Sequence, residues 1–301
     1  RTAQRMADID PLFSLRNEFY LGNFSGAVNE AQSVMCSKPA EEVERDCLMY
    51  RAHIALGNYD VVLSTAGEEH TALQAVRLLA TYLANPDNKE IVMVTLAEWM
   101  SESELSQNPT LCVVAATIYC HEDKHAEALK CLHHGTTLEM LAMNVQIYIQ
   151  IARLDHAEKQ LSAMQSMDDD STLTQLASAF YHAAMGGDKL NDGYHIFNDL
   201  AEKYTETPLL LNGMACCQMG MGAFGDAEKL LLKAIGKSSN DEQTLQNLIV
   251  CGQHLRKDQT IITRYIAQLR SRAPSCNFLF ERSGKESLFD RLAAGYQAAA
   301  E

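Results

Sequence analysis

Three times in this chain a helical run of apolar residues stops at a glycine, an aromatic follows two positions later, and a small residue comes three positions after that. The sets are Gly22-Asn23-Phe24 with Ala27, Gly57-Asn58-Tyr59 with Val62, and Gly222-Ala223-Phe224 with Ala227. Gly22 and Gly57 lie 35 residues apart, and Gly187 precedes Gly222 by the same 35. A fixed period of this length means that one small unit is repeated and stacked. The best preserved copy is residues 207–238. Thr207 and Pro208 read as an N-cap and first helical residue, because the hydroxyl can satisfy an orphan backbone N–H and proline's fixed φ suits that position. Leu211, Met214 and Ala215 follow at helical spacing, and Gly222 ends the helix where a left-handed backbone is needed. Ala227, Leu230, Leu231 and Ala234 then form a second apolar stripe. The unit is a helical hairpin.

The same phase runs through the rest of the chain. Asp10 and Pro11 repeat the cap-then-proline start before a helix over Leu12–Leu21, and a helix over Asp46–Leu56 ends at Gly57. Ala128 lies 66 residues after Val62, room for two units. The hidden one is assigned to Thr71–Ala84, a turn at Asn85–Asn88, and Lys89–Met100. A fifth unit, Thr137–Met164, has Ala157 only 29 residues after Ala128, so its hairpin must be trimmed, near Gly135. Asp170–Met185 leads to Gly187, and a weak last unit covers Asp241–Arg272 before Pro274. A final amphipathic helix with Leu288, Phe289, Leu292 and Tyr296 is expected to cap the open end. The pattern resembles tetratricopeptide (TPR) repeats, without their consensus tryptophan, since the single Trp99 lies elsewhere. The expectation is an all-α, TPR-like α-solenoid of about seven to eight hairpins. Residues 1–9 would be an extension, native or left from expression, 10–274 the solenoid and 275–301 a capping region. Stacking is obligatory, because one hairpin buries too little apolar surface to offset its chain entropy.

Charge and cysteine content narrow the function. A net charge of −14 argues against binding to nucleic acid, which needs clustered Lys and Arg to displace counterions. Nine cysteines without a C-x-x-C pair fit a reducing compartment such as the cytosol. The longest apolar runs, such as Leu111–Cys120, fall short of a membrane span, so any membrane association is expected to be peripheral.

The chemical motifs do not converge on catalysis. His121-Glu122-Asp123-Lys124-His125 matches H-E-x-x-H, whose histidines must share one helix face to hold zinc. The repeat phase instead puts it on an inter-helix turn, with Glu139 the nearest third ligand, so a zinc hydrolase is only a remote alternative. Cys120-His121 and His133-His134 lack a second pair at zinc-finger spacing. Adjacent Cys216 and Cys217 point about 100° apart on a helix, one to the core and one to the inner surface. Asn23-Phe24-Ser25 fits a glycosylation sequon by chance, and Asp168–Asp170 lack an EF-hand glycine. No phosphate-binding or nucleophile-elbow motif occurs. No enzyme, cofactor or metal is expected.

What remains is a surface. In such a stack first helices line the inside, and helical phase points Arg16, Tyr20, Arg51, Gln146, Tyr181 and Asn212 towards it. Arg, Tyr and amide side chains suit recognition of a polypeptide partner, with inter-repeat hydrogen bonding as the alternative role for each. A co-chaperone that grips C-terminal carboxylates is a second candidate, but it needs clustered cations, and only Arg16 and Arg51 are obvious.

Five segments carry a more specific resemblance: VERDCLMYRAHIALGNY (43–59), LQAVRLLATYL (73–83), AMNVQIYI (142–149), MDDDSTLTQLASA (167–179) and LLLNGMACC (209–217). In this order they resemble the epsilon subunits of coatomer, from about Asp10 to Tyr296. The resemblance implies a cytosolic, non-catalytic component of the COPI vesicle coat in Golgi-to-endoplasmic-reticulum and intra-Golgi transport. It further implies a curved solenoid that clasps the C-terminal domain of the alpha subunit within the heptameric complex. Membrane recruitment would come through other coat subunits and an Arf-type GTPase.

Overall fold

The computed structural model describes residues 10–67, 69–274 and 276–300. Among them the structure is built of helices, mostly paired as hairpins, in two compact units that part between Met185 and Gly186. The first holds α1 (Phe13–Tyr20), α2 (Phe24–Ser33), α3 (Pro39–Ala55), α4 (Tyr59–Thr65), α5 (Thr71–Ala84), α6 (Lys89–Ser101), α7 (Pro109–His121), α8 (His125–Cys131), α9 (Leu138–Gln150), α10 (Leu154–Asp168) and α11 (Thr172–Met185). The second holds α12 (Lys189–Lys203), α13 (Pro208–Gly220), α14 (Phe224–Lys237), α15 (Glu242–His254), α16 (Gln259–Arg272) and α17 (Asn277–Ala300).

The turn inside nearly every hairpin passes through the left-handed region. Gly22, Gly57 and Gly222 do so at φ 82°, 80° and 81°, where the missing Cβ removes the clash with the next carbonyl. Asp123, Ala152 and Arg256 adopt the same conformation at φ 55°, 56° and 52° and carry the steric cost, about 1 kcal/mol each. These residues mark the repeat where no glycine announces it. The hidden unit is the exception, since α5 joins α6 through a 3₁₀ turn at Pro86–Asn88. The small residue expected early in each second helix is fully buried in five hairpins, as Ala27, Val62, Ala128, Ala157 and Ala227. There the paired helices touch.

Caps set the helix starts. Thr207 accepts from the Leu210 N–H at 3.3 Å, Thr137 from Met140 at 3.3 Å and Asn108 from Leu111 at 3.1 Å. One start differs from the sequence expectation. The helix placed over Asp46–Leu56 begins seven residues earlier, at Pro39, because the Glu41 carboxylate accepts from the Ser37 and Lys38 N–H groups at 3.1 and 3.3 Å. The trim expected in the fifth hairpin falls before it instead: α9 and α10 have 13 and 15 residues, and the short helix is α8, with 7.

The core of the first unit is centred on α7, where Leu111–Ala116, Ile118 and Tyr119 are buried. This helix packs against α5 on one side and α9 on the other, so it has no solvent face to carry polar residues. In the second unit Gly213 of α13 lies against Phe197 of α12. A Cβ there would sit 2.7 Å from the ring. Phe224 stacks on His254 at 4.2 Å between ring centroids and 7° between planes, tying the start of α14 to the end of α15.

The C-terminal helix is present, but only its beginning caps the core. Cys276 and Leu279 are buried against Leu245, Ile249, Ile262 and Leu269, whereas Leu288, Phe289, Leu292 and Tyr296 stand 46%, 71%, 56% and 80% exposed. After its first turn the apolar side of α17 is left exposed by the described residues. Residues 1–9, expected to be an extension, lie outside the described residues.

Candidate partner-binding surface

Within the first unit, the first helices of the hairpins gather their polar and aromatic side chains on one side. Arg51 on α3 reaches Glu139 at the start of α9, 88 residues further along, with Nη2 2.5 Å from Oε1. Its guanidinium also lies 4.8 Å from the centre of the Phe19 ring on α1. The two side chains are 15% and 24% exposed, so the pair is largely withdrawn from water. Burial pulls the Arg51 pKa down, the Glu139 charge and hydrogen bond push it up, and the net shift is upward. Arg51 is a permanent cation.

Tyr20 belongs to the same cluster. Burial raises its pKa first and the Glu139 charge second, so the hydroxyl stays protonated and available as a donor. One turn earlier, Arg16 donates from Nε to Glu44 on α3 at 2.7 Å and pairs through Nη1 with Asp10. The hydrogen bond it donates to Glu44 is the main reason its pKa is raised. α1 also touches α11, so the inner helices of this unit return on one another. Gln146, two turns along α9 from Glu139, is half-buried. Tyr181 on α11 is only 8% exposed.

The expectation that Tyr181 and Asn212 point to an open inner surface therefore fails. Tyr181 packs into a core with Val145, Ala157 and Ala177. Asn212 is 2% exposed and its amide is fully engaged between α13 and α15. Its Nδ2 donates to the Pro208 carbonyl at 2.8 Å and to Thr244 Oγ1 at 2.7 Å, and its Oδ1 accepts from Asn247 Nδ2 at 2.8 Å. Asp241 completes the group by accepting from the Thr244 N–H at 2.8 Å. Buried amides need all their partners, and this one has them. Asn212 is an inter-repeat tie, the alternative role.

Glu139, Glu44 and Phe19 were not among the expected surface residues. No local signal marks a partner 88 residues away. The Asp241, Thr244, Asn247 set was legible in principle, because i, i+3, i+6 spacing puts three polar groups on one side of a helix start.

The H-E-x-x-H motif is divided between two helices. His121 is the last residue of α7, Asp123 turns the chain, and His125 is the first of α8. Glu122 is held by the Tyr82 hydroxyl at 2.5 Å and by Lys89 at 2.5 Å. The histidines do not share a helix face, so the zinc hydrolase geometry is lost. No group of three or more His, Cys, Asp or Glu that could hold a metal ion occurs among the described residues. Burial raises the thiol pKa values of Cys47 and Cys131 to about 12 and of Cys217 to about 11, which keeps them protonated and unreactive at neutral pH.

Comparison with known proteins agrees with this architecture. Two solved structures share the fold at low sequence identity: a tetratricopeptide repeat protein from Parabacteroides merdae, with TM-score 0.60 and 13% identity over 90% of this chain and 95% of that one, and the APC/C hetero-tetramer Cut9-Hcn1, with TM-score 0.60 and 12% identity over 92% of this chain and 57% of that one. The chain is 46% identical to coatomer subunit epsilon-1 of Arabidopsis thaliana, covering 95% of this chain and 97% of the relative. It is 38% identical to coatomer subunit epsilon of Dictyostelium discoideum, covering 93% and 97%. The family described as the coatomer epsilon subunit matches residues 8–297. A TPR-like helical stack matched to that family over nearly its whole length, this chain belongs to the coatomer epsilon-subunit family.

Proposed function

We propose that the chain acts in the COPI coat as the non-enzymatic subunit that holds the C-terminal domain of the alpha subunit. Membership of the family across residues 8–297 carries this reading. The inner side of the first unit supports it physically. Arg51 is already fixed by Glu139 and Phe19, so little side-chain entropy is lost when a partner's strand edge or loop meets it. Binding to the folded chain alone stabilises it, so the complex is more stable than the free solenoid.

The coat sits on the cytosolic side of Golgi membranes and vesicles, serving Golgi-to-endoplasmic-reticulum and intra-Golgi transport. Among the described residues no helix is long and apolar enough to cross a membrane, and recruitment runs through other coat subunits and an Arf-type GTPase. The co-chaperone alternative loses its cations: Asp10 and Glu44 neutralise Arg16, and Glu139 neutralises Arg51.

Co-purification with the C-terminal domain of alpha-coatomer tests the assignment. The unaltered chain is expected to co-elute, Gln146→Lys on the inner side of α9 to weaken the complex, and Lys229→Glu, 79% exposed on α14, to leave it intact. No complex with the unaltered chain overturns the alpha-subunit assignment. A complex indifferent to Gln146→Lys moves the interface off this surface.

A further inference from the structure

Asn17, Asn144 and Asn212 are the buried asparagines among the described residues. The Asn212 amide is fully engaged between α13 and α15, and Asn144 donates to the Leu132 carbonyl at 3.4 Å. Asn17 on α1, 8% exposed, is different: its Nδ2 is sealed from solvent, and among the described residues no acceptor lies within hydrogen-bond reach of it. Native structures hold few such groups, because a buried donor that has left water without gaining a protein partner destabilises the fold.

Its place on the helix sets what this donor faces. Leu12, Leu15 and Phe19 pack against α2 and α3. Asn17 is two residues from Leu15, about 200° further round the helix, so it lies on the side turned away from that core. Phe13, Asn17 and Tyr20, at i, i+4 and i+7, form one stripe there. From beyond α2 and α3, α1 is met by α11, the last helix of the unit. Asn17 is therefore buried on the inner side, where the first helices return on one another. The Tyr20 hydroxyl, one turn along the same stripe, likewise makes no hydrogen bond among the described residues.

The neighbouring charges select the acceptor. Asp10 and Glu44 neutralise Arg16, and Glu139 neutralises Arg51, so this side offers hydrogen-bond donors without net positive charge. A carboxylate brought there is desolvated without a counter-charge, whereas a main-chain carbonyl is a neutral acceptor with two lone pairs. We propose, resting on the alpha-subunit assignment, that Asn17 is a partner-binding residue held in reserve: in the complex α1 and α11 part enough for its amide to donate to a main-chain carbonyl of the alpha-subunit segment seated on this side, with the Tyr20 hydroxyl as a second donor. The free chain carries the unpaired donor and the complex relieves it. One amide thus weakens the free fold and strengthens the complex.

Opposite signs in two measurements on Asn17→Leu test this, since leucine has a similar shape and no polar atom. Urea unfolding of the free full-length chain should move to a higher midpoint, while affinity for the C-terminal domain of alpha-coatomer, read by isothermal titration calorimetry, should fall about tenfold or more. Tyr20→Phe removes only the hydroxyl and keeps the ring; it should leave the midpoint in place and weaken binding several-fold. A lower midpoint for Asn17→Leu means that the amide already has a partner in the free chain, and overturns the proposal. So does a higher midpoint with unchanged affinity. Binding weakened by Gln146→Lys but indifferent to both Asn17→Leu and Tyr20→Phe overturns the role of Asn17 and leaves the alpha-subunit assignment standing, whereas no complex with the unaltered chain overturns both.

Discussion

The Arg51–Glu139 pair gives the most direct energetic test of how the first unit is held together. An exposed ion pair contributes up to about 1 kcal/mol, whereas removing one partner of a buried pair costs about 3–5 kcal/mol because a charge is left without compensation. At 15% and 24% exposure this pair lies between those limits and nearer the second. Glu139→Gln keeps the shape and one acceptor, and should cost about 2 kcal/mol. Arg51→Met also gives up the Phe19 contact, which is worth about 0.5–1 kcal/mol, and should cost about 3 kcal/mol. The double variant removes both charges. It should therefore recover about 1.5 kcal/mol relative to the sum of the single changes. Urea unfolding followed by circular dichroism on all four chains supplies the cycle. A coupling energy below about 0.5 kcal/mol would refute the reasoning, since it would mean that water already screens the pair and that α3 and α9 are not tied through it.

Three further outcomes follow from single positions. Gly213→Ala should destabilise by about 1–3 kcal/mol, because the new methyl meets the Phe197 ring at 2.7 Å, and a gain in thermal stability would contradict that packing. Ala152→Gly should stabilise by about 0.5–1 kcal/mol in the same urea assay by relieving a left-handed turn residue, whereas Ala157→Gly, in a helix interior, should destabilise by about 1 kcal/mol. Asn212→Leu should cost about 1–2 kcal/mol by removing the amide's hydrogen bonds to Thr244 and Asn247, and it should leave alpha-coatomer affinity unchanged once folding is restored at low temperature.

The repeat was readable in the sequence because its determinants are local. A left-handed turn after each first helix needs glycine or a tolerated substitute, and close helix pairing needs a small residue, so Gly22, Gly57 and Gly222 with Ala27, Val62 and Ala227 announce hairpins without any knowledge of their neighbours. Length and period then require a stack. The start of α3 was missed although Pro39 and Glu41 encode it, because the apolar pattern used to find it begins only at Cys47.

The surface was legible only in part. Helical phase tells which side of its own helix a residue occupies, and it placed Arg16, Tyr20 and Arg51 on the inner side. It does not tell what another helix brings to that side. Whether an inward polar group meets a partner, a neighbour in the stack or a distant helix depends on how successive hairpins rotate, and that rotation is set by packing summed over many residues. Thus Arg51 found Glu139 88 residues away, Asn212 was sealed between α13 and α15, and the apolar stripe of α17, expected to cap the stack, was left facing water. The sequence by itself determined the unit and its repetition; tertiary structure alone decided which faces the stack consumes and which it offers to another molecule.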